Sequence, residues 1–123
     1  MMKIFIVLIL LFCFVSQSTA KCVEKSRVKY KTNTGWSKNY YVDVTFMSGS
    51  ELNTATNSYK YTGAGYAIIF WSQEQVTIIK LNMLHFAGEM SCSFVNGLFD
   101  IKGVDQDGDE WDICANSDYV FCD

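Results

Sequence analysis

The chain has 123 residues, half of them hydrophobic, with ten basic and thirteen acidic side chains and a formal net charge of −3. A chain of this length holds one domain, and negative charge with Arg27 as the only arginine argues against an electrostatic grip on nucleic acid. No apolar run reaches the roughly 20 residues that a membrane-spanning helix needs.

The N-terminus reads as an address. Met1-Met2-Lys3 is short and basic, Ile4 to Val15 is unbroken apolar sequence, and small residues stand at Ser18 and Ala20. This is the pattern of a cleaved secretory signal peptide over residues 1–20. The expected mature chain begins at Lys21, is secreted, and forms a single β-rich domain over residues 21–123. Removal of the leader takes Cys13 with it and leaves Cys22, Cys92, Cys114 and Cys122. An even number of cysteines in a short exported chain reads as a disulfide framework with three possible pairings. The preferred one joins Cys22 to a C-terminal cysteine and Cys92 to the other. The spacings are too wide for the close cysteine pairs of a zinc site.

Arg27-Val28-Lys29-Tyr30-Lys31 alternates basic and apolar residues, as a half-buried strand with a solvated basic face would. Thr32 to Gly35 is turn chemistry. Trp36, Tyr40, Val42, Val44 and Phe46 then continue the inward parity, so residues 27–47 form a first hairpin. The basic start of the chain should lie near the acidic C-terminal hairpin. Ser50 could cap a helical turn through Glu51-Leu52-Asn53, and Tyr59-Lys60-Tyr61 could add a short strand.

The centre of the chain is Tyr66 to Leu81. Two runs of β-branched and aromatic residues, 66–71 and 76–81, flank polar Ser72-Gln73-Glu74-Gln75 as in a hairpin. The first run is apolar on both faces and should be covered on both sides. Residues 82–90 are ambiguous between strand and helical turn. Leu98 to Val104 and Glu110 to Cys114 read as two further strands around the turn Asp105-Gln106-Asp107-Gly108. Together these elements predict an all-β fold: a small antiparallel barrel or sandwich, disulfide-stapled, with at most one short helix. A five-stranded OB-like order fits the strand spacing.

Three groups of residues could carry function. Asp105, Asp107 and Asp109 copy the first three ligand positions of an EF-hand loop, but Glu110 replaces the sixth-position glycine and Asn116 the closing glutamate. A β-hairpin tip explains the same residues, and weak calcium binding is the alternative; no other cofactor is expected. Tyr59, Tyr61 and Tyr66 cluster in polar sequence and could stack on a sugar ring or contact a protein. At least two of Trp36, Trp71 and Trp111 fit inward strand positions, so core is their default reading. His85 is the only histidine, which leaves little for a triad or a histidine pair. Glu89, Asp100 and Glu110 could converge as hydrolytic carboxylates, although nothing in their spacing selects them. The reading is a non-catalytic extracellular module that binds a protein or carbohydrate, with the Thr54–Tyr66 loop as its contact surface. The alternatives are a hydrolase that uses surface carboxylates with His85, and a structural extracellular component.

Overall fold

The computed structural model describes residues 22–63, 65–82, 91–96 and 101–115. The leader, His85, Glu89, Asp100, Asn116 and Cys122 lie outside them. Seven strands and two helical segments follow in order: β1 (Cys22–Thr32), β2 (Gly35–Trp36), β3 (Tyr40–Met47), α1 (Gly49–Thr56), β4 (Tyr66–Phe70), β5 (Val76–Leu81), α2 (Cys92–Asn96), β6 (Ile101–Asp105) and β7 (Glu110–Cys114). Among the described residues no helix is long and apolar enough to cross a membrane.

Strands β1, β3, β4, β5, β6 and β7 pair antiparallel in that order, and β7 returns to β1, so six strands close a barrel. The length of β1 makes this possible. Its first seven residues pair with β3 (Cys22↔Phe46 to Val28↔Tyr40), while Arg27 to Tyr30 pair with β7 on the other edge. Strand β2 stays outside the ring, folded back on Lys31 and Thr32. An OB fold is a five-stranded Greek key. Here each barrel strand pairs with the next, so the OB-like order gives way to a six-stranded meander.

Alternation then decides the interior. Val28, Val44, Phe46, Ala67, Ile69, Ile79, Ile101 and Ile113 all point inward and are buried. The space is narrow. A Cβ on Gly103 would stand 2.6 Å from Ile79 Cγ2 and 2.5 Å from the Lys80 carbonyl oxygen, so only glycine fits this inward position of β6. The opposite face of β4 is covered too: Met47, Leu52, Tyr66 and Ile68 form a second cluster beneath α1. The central hairpin thus has the double burial that its composition implies.

Helix α1 is longer than the expected single turn, and Ser48, not Ser50, caps it. The Ser48 hydroxyl accepts from the Glu51 N–H at 3.1 Å, and Glu51 Oε1 accepts from the Ser48 N–H at 3.0 Å, a reciprocal capping box. Burial of Leu52 against the barrel supplies what the mediocre helix formers of 53–57 lack. Residues 59–61 form no strand. The Asn53 side chain instead donates to the Tyr61 carbonyl and accepts from the Tyr61 N–H, both at 2.9 Å, satisfying that backbone as a neighbouring strand would.

The cysteine pairing differs from the preferred one. Cys22 is bonded to Cys92, closing a separation of 70 residues. Pairing with β3 places the start of β1 beside Phe46, and α2 carries Cys92 to that end. Cys114 is also disulfide-bonded, to a partner outside the described residues. In the chain-entropy model, closing a loop of tens of residues is worth roughly 3–5 kcal/mol.

The basic strand does meet the acidic hairpin, through the β1–β7 seam. Lys31 Nζ lies 3.5 Å from Glu110 Oε2 at the surface. Arg27, expected on a solvated face, is only 1% exposed. It lies on the outer side of the barrel, as its parity requires, yet it is covered there. Its Nη1 stands 3.5 Å from Asp112 Oδ2 and donates to the Asp112 carbonyl at the same distance, while Lys29 Nζ lies 3.8 Å from Oδ2. Trp36 also departs from expectation. It is 42% exposed on β2, with the Lys29 ammonium 5.3 Å from its ring centre. The turn carries β2 off the barrel, so its parity no longer points to the core.

Two outcomes follow for stability. Asp112→Ala strands the buried Arg27 charge and should cost about 3–5 kcal/mol in denaturant unfolding, while the double replacement Arg27→Met with Asp112→Leu should recover most of it. Gly103→Ala should cost about 1–3 kcal/mol through overpacking in the same measurement.

Candidate functional site

At one end of the barrel the inward rows change from aliphatic to aromatic. Tyr30 stands near the end of β1, opposite Trp111 on β7, and Tyr40 opens β3. Trp71 follows the last residue of β4. The four rings form a closed circuit. Centroid separations are 6.3 Å for Tyr30–Tyr40, 5.7 Å for Tyr40–Trp71, 6.3 Å for Trp71–Trp111 and 5.2 Å for Trp111–Tyr30. Tyr30 and Tyr40 are nearly parallel, at 17°, and Tyr40 meets Trp71 edge to face, at 78°. These rings, with Gln75, Val76, Thr77, Gln106 and Asp107, line an open cavity of about 420 Å³.

Hydrogen bonds fix the indoles. Trp71 Nε1 donates to Thr77 Oγ1 at 2.8 Å, and Trp111 Nε1 donates to Asp105 Oδ2 at 2.8 Å. With their N–H edges spent, both tryptophans have only ring surface left to offer. Gln106 is spent as well: its Nε2 donates to the Val76 carbonyl and its Oε1 accepts from the Ile78 N–H, which pins the β6–β7 turn to β5. The Gln75 amide and the Asp107 carboxylate form no hydrogen bond within the described chain. Tyr30 ionises above the ordinary tyrosine range, chiefly because the neighbouring Tyr40 would repel its charge, with hydrogen bonding to Tyr40 and partial burial adding to the effect. The Tyr30 phenol is therefore neutral at physiological pH.

The three aspartates play different parts. Asp105 Oδ1 accepts from the N–H groups of Asp107 and Asp109, both at 2.9 Å, and Oδ2 holds Trp111. Gly108, at φ 90°, completes the reversal that Asp-Gly sequence favours. Asp107 faces the cavity. The carboxylates of Asp105, Asp107 and Asp109 do not come within 4.8 Å of one another as a set. Among the described residues the group that does is Cys22, Glu24 and Cys92, whose sulfurs are joined to each other.

The structure also separates the three tyrosines. Tyr59 is 96% exposed, beside a shallow polar depression formed by Ser50, Asn53, Thr54, Asn57 and Ser58. Tyr61 is half-buried and meets Tyr66 edge to face at 5.5 Å. Tyr66 is a buried member of the outer cluster; its hydroxyl donates to the Thr62 carbonyl, and burial raises its pKa. Tyr66 supports this loop from beneath, with little of its ring exposed.

The core reading holds for Trp111, a member of the core cluster, and Trp71 packs against it; what that reading misses is that the same rings line a cavity. The signal was present: Tyr30, Tyr40 and Trp71 hold inward parity at the ends of their strands, where a barrel opens. No protein-family model, characterised protein or solved structure matches this chain.

Asp105→Ala removes three acceptor contacts at once. It should cost about 1–3 kcal/mol and blue- or red-shift Trp111 emission. In the unaltered protein, Asp105 is already committed to its own turn, so millimolar calcium should leave the melting temperature unchanged. A calcium-dependent rise would show that the turn opens to ligate the ion.

Proposed function

We propose that this protein is a small exported, disulfide-stabilised binding module without catalytic activity, and that it takes its ligand at the aromatic mouth of the barrel. The observation that carries the reading is the circuit of four rings around an open cavity of about 420 Å³. Ligand sites are concave and largely apolar, with a few placed polar groups, and here those groups are Gln75 and Asp107. The scaffold favours a preformed site. Each indole is fixed by a hydrogen bond from an adjacent strand or turn, so little side-chain freedom remains to be lost on binding.

The lining favours binding over catalysis. Asp107 is its one carboxylate among the described residues, whereas acid–base hydrolysis of glycosides uses a pair. Export is supported by the leader-like residues 1–20 and by disulfide formation, which persists in oxidising compartments.

A panel of three solutes tests the site: cellobiose as a neutral saccharide, phenol as a neutral aromatic and choline as an organic cation. Titrated into isotopically labelled, disulfide-intact protein, at least one should give saturable amide shifts at residues 71–77 and 105–111 and at the Trp71 and Trp111 indoles. Shifts confined to residues 50–61 would move the site to the Tyr59 depression, and no saturable shift would remove the binding reading.

A further inference from the structure

Given a binding mouth, the chemistry of its walls selects among ligands. We infer that the ligand is an organic cation with an alkylated ammonium head, held against the rings of the mouth with Asp107 as its counter-charge.

The argument starts from what the mouth has left to give. A saccharide presents many hydroxyls and needs a matching set of hydrogen-bond partners. Here both indole N–H groups, the Gln106 amide and an acceptor position on Thr77 are already engaged within the fold. What remains is ring surface, the Tyr30 and Tyr40 hydroxyls, one amide on Gln75 and one carboxylate on Asp107, a short polar set for a ligand covered in hydroxyls. Aromatic faces carry negative quadrupole density and attract cations that water holds weakly, and quaternary ammonium groups are the ligands that aromatic cages recognise. Trp111 is only 6% exposed and backs the circuit, while half-buried Tyr30, Tyr40 and Trp71 line the cavity and offer such a head group several rings within cation–π reach.

Charge favours the same ligand. Asp107 lines the cavity, and Asp109 is close enough to the mouth to raise the pKa of Tyr30. The opposing charge is Lys38, whose ammonium stands 5.1 Å from the Tyr40 ring centre. One ring of the circuit therefore already accepts a cation from within the chain, against the carboxylates of Asp107 at the cavity and of Asp105 beside Trp111. A neutral ligand of the same shape would gain the apolar contact and nothing from the aspartates.

The test compares choline with its carbon analogue, in which a tert-butyl group replaces trimethylammonium, using indole and amide shifts at the mouth of the disulfide-intact protein. Choline should bind roughly tenfold more tightly than the analogue. Asp107→Asn, at an exposed turn position whose backbone alone is bonded, should weaken choline by a few-fold and leave the analogue unchanged. Co-sedimentation with phosphatidylcholine vesicles, competed by choline, would assign the head group to a lipid; choline binding without co-sedimentation would assign a free solute. Equal affinity for choline and the analogue, or saturable binding of cellobiose alone, would overturn the cation assignment while leaving the mouth a binding site. Silence from every solute would overturn both.

Discussion

Closure of the ring by β1 is the constraint on which the rest depends. A strand with partners on one edge only would leave an open sheet with two unpaired edges. Here β1 pairs along one edge with β3 and along the other with β7, and residues 27 and 28 serve both. That overlap brings Arg27 beside Asp112, buries the pair on the outer side of the seam and sets Tyr30 opposite Trp111. The Cys22–Cys92 bond then fastens the start of the same strand. Among the described residues Arg27 Nε and Nη2 are buried without a hydrogen-bond partner. A charge pair of this kind contributes little net stability compared with apolar residues, but it penalises a slipped register, which would leave both charges buried and unpaired.

Asp105 links that seam to the mouth. It sits at the end of β6, accepts the N–H groups that shape the following turn, and holds the Trp111 indole on the next strand. Gln106 ties the same turn to β5. Two consecutive side chains therefore fix one wall of the cavity against both neighbours, and Asp107, the next residue, is left free to face inward. The resemblance of Asp105 to Asp109 to a calcium loop has a physical source at its first position, where a carboxylate suits backbone N–H groups as well as it suits an ion.

Much of the fold could be read from the residues. The hairpin over 66–81, the double burial of β4 and the strands around Asp105 all follow from local alternation and turn chemistry. The failures arise where distant contacts override local pattern. Arg27 alternates like a surface residue, and only the return of β7 to β1 sets Asp112 beside it. Trp36 keeps its parity, but the turn removes its strand from the barrel. The length of α1 depends on Leu52 finding Ile68, and the cysteine pairing depends on which end of the barrel β1 begins at. The mouth was half legible. Its residues were identifiable as inward aromatics, but whether an inward residue lies at mid-barrel or at the rim depends on inter-strand register, which alternation along one strand does not specify.

The packing of these rings bears on how the mouth should be read. Trp111 is buried in the core cluster opposite Gly103, and Tyr30, Tyr40 and Trp71 pack against that cluster, so inward rings fill this end of the barrel whether or not a ligand exists. Ring packing alone is therefore a weak argument for function. What packing does not account for is the remainder. Rings gathered merely to cap the core would close over one another, with polar neighbours turned to solvent or to the backbone, as Gln106 is. Instead the circuit leaves a cavity open, lined by the Gln75 amide and the Asp107 carboxylate that the fold does not use, and Asp107 lies on a turn whose shape Asp105 already secures. Those two side chains are what separates a binding site from a well-filled barrel end.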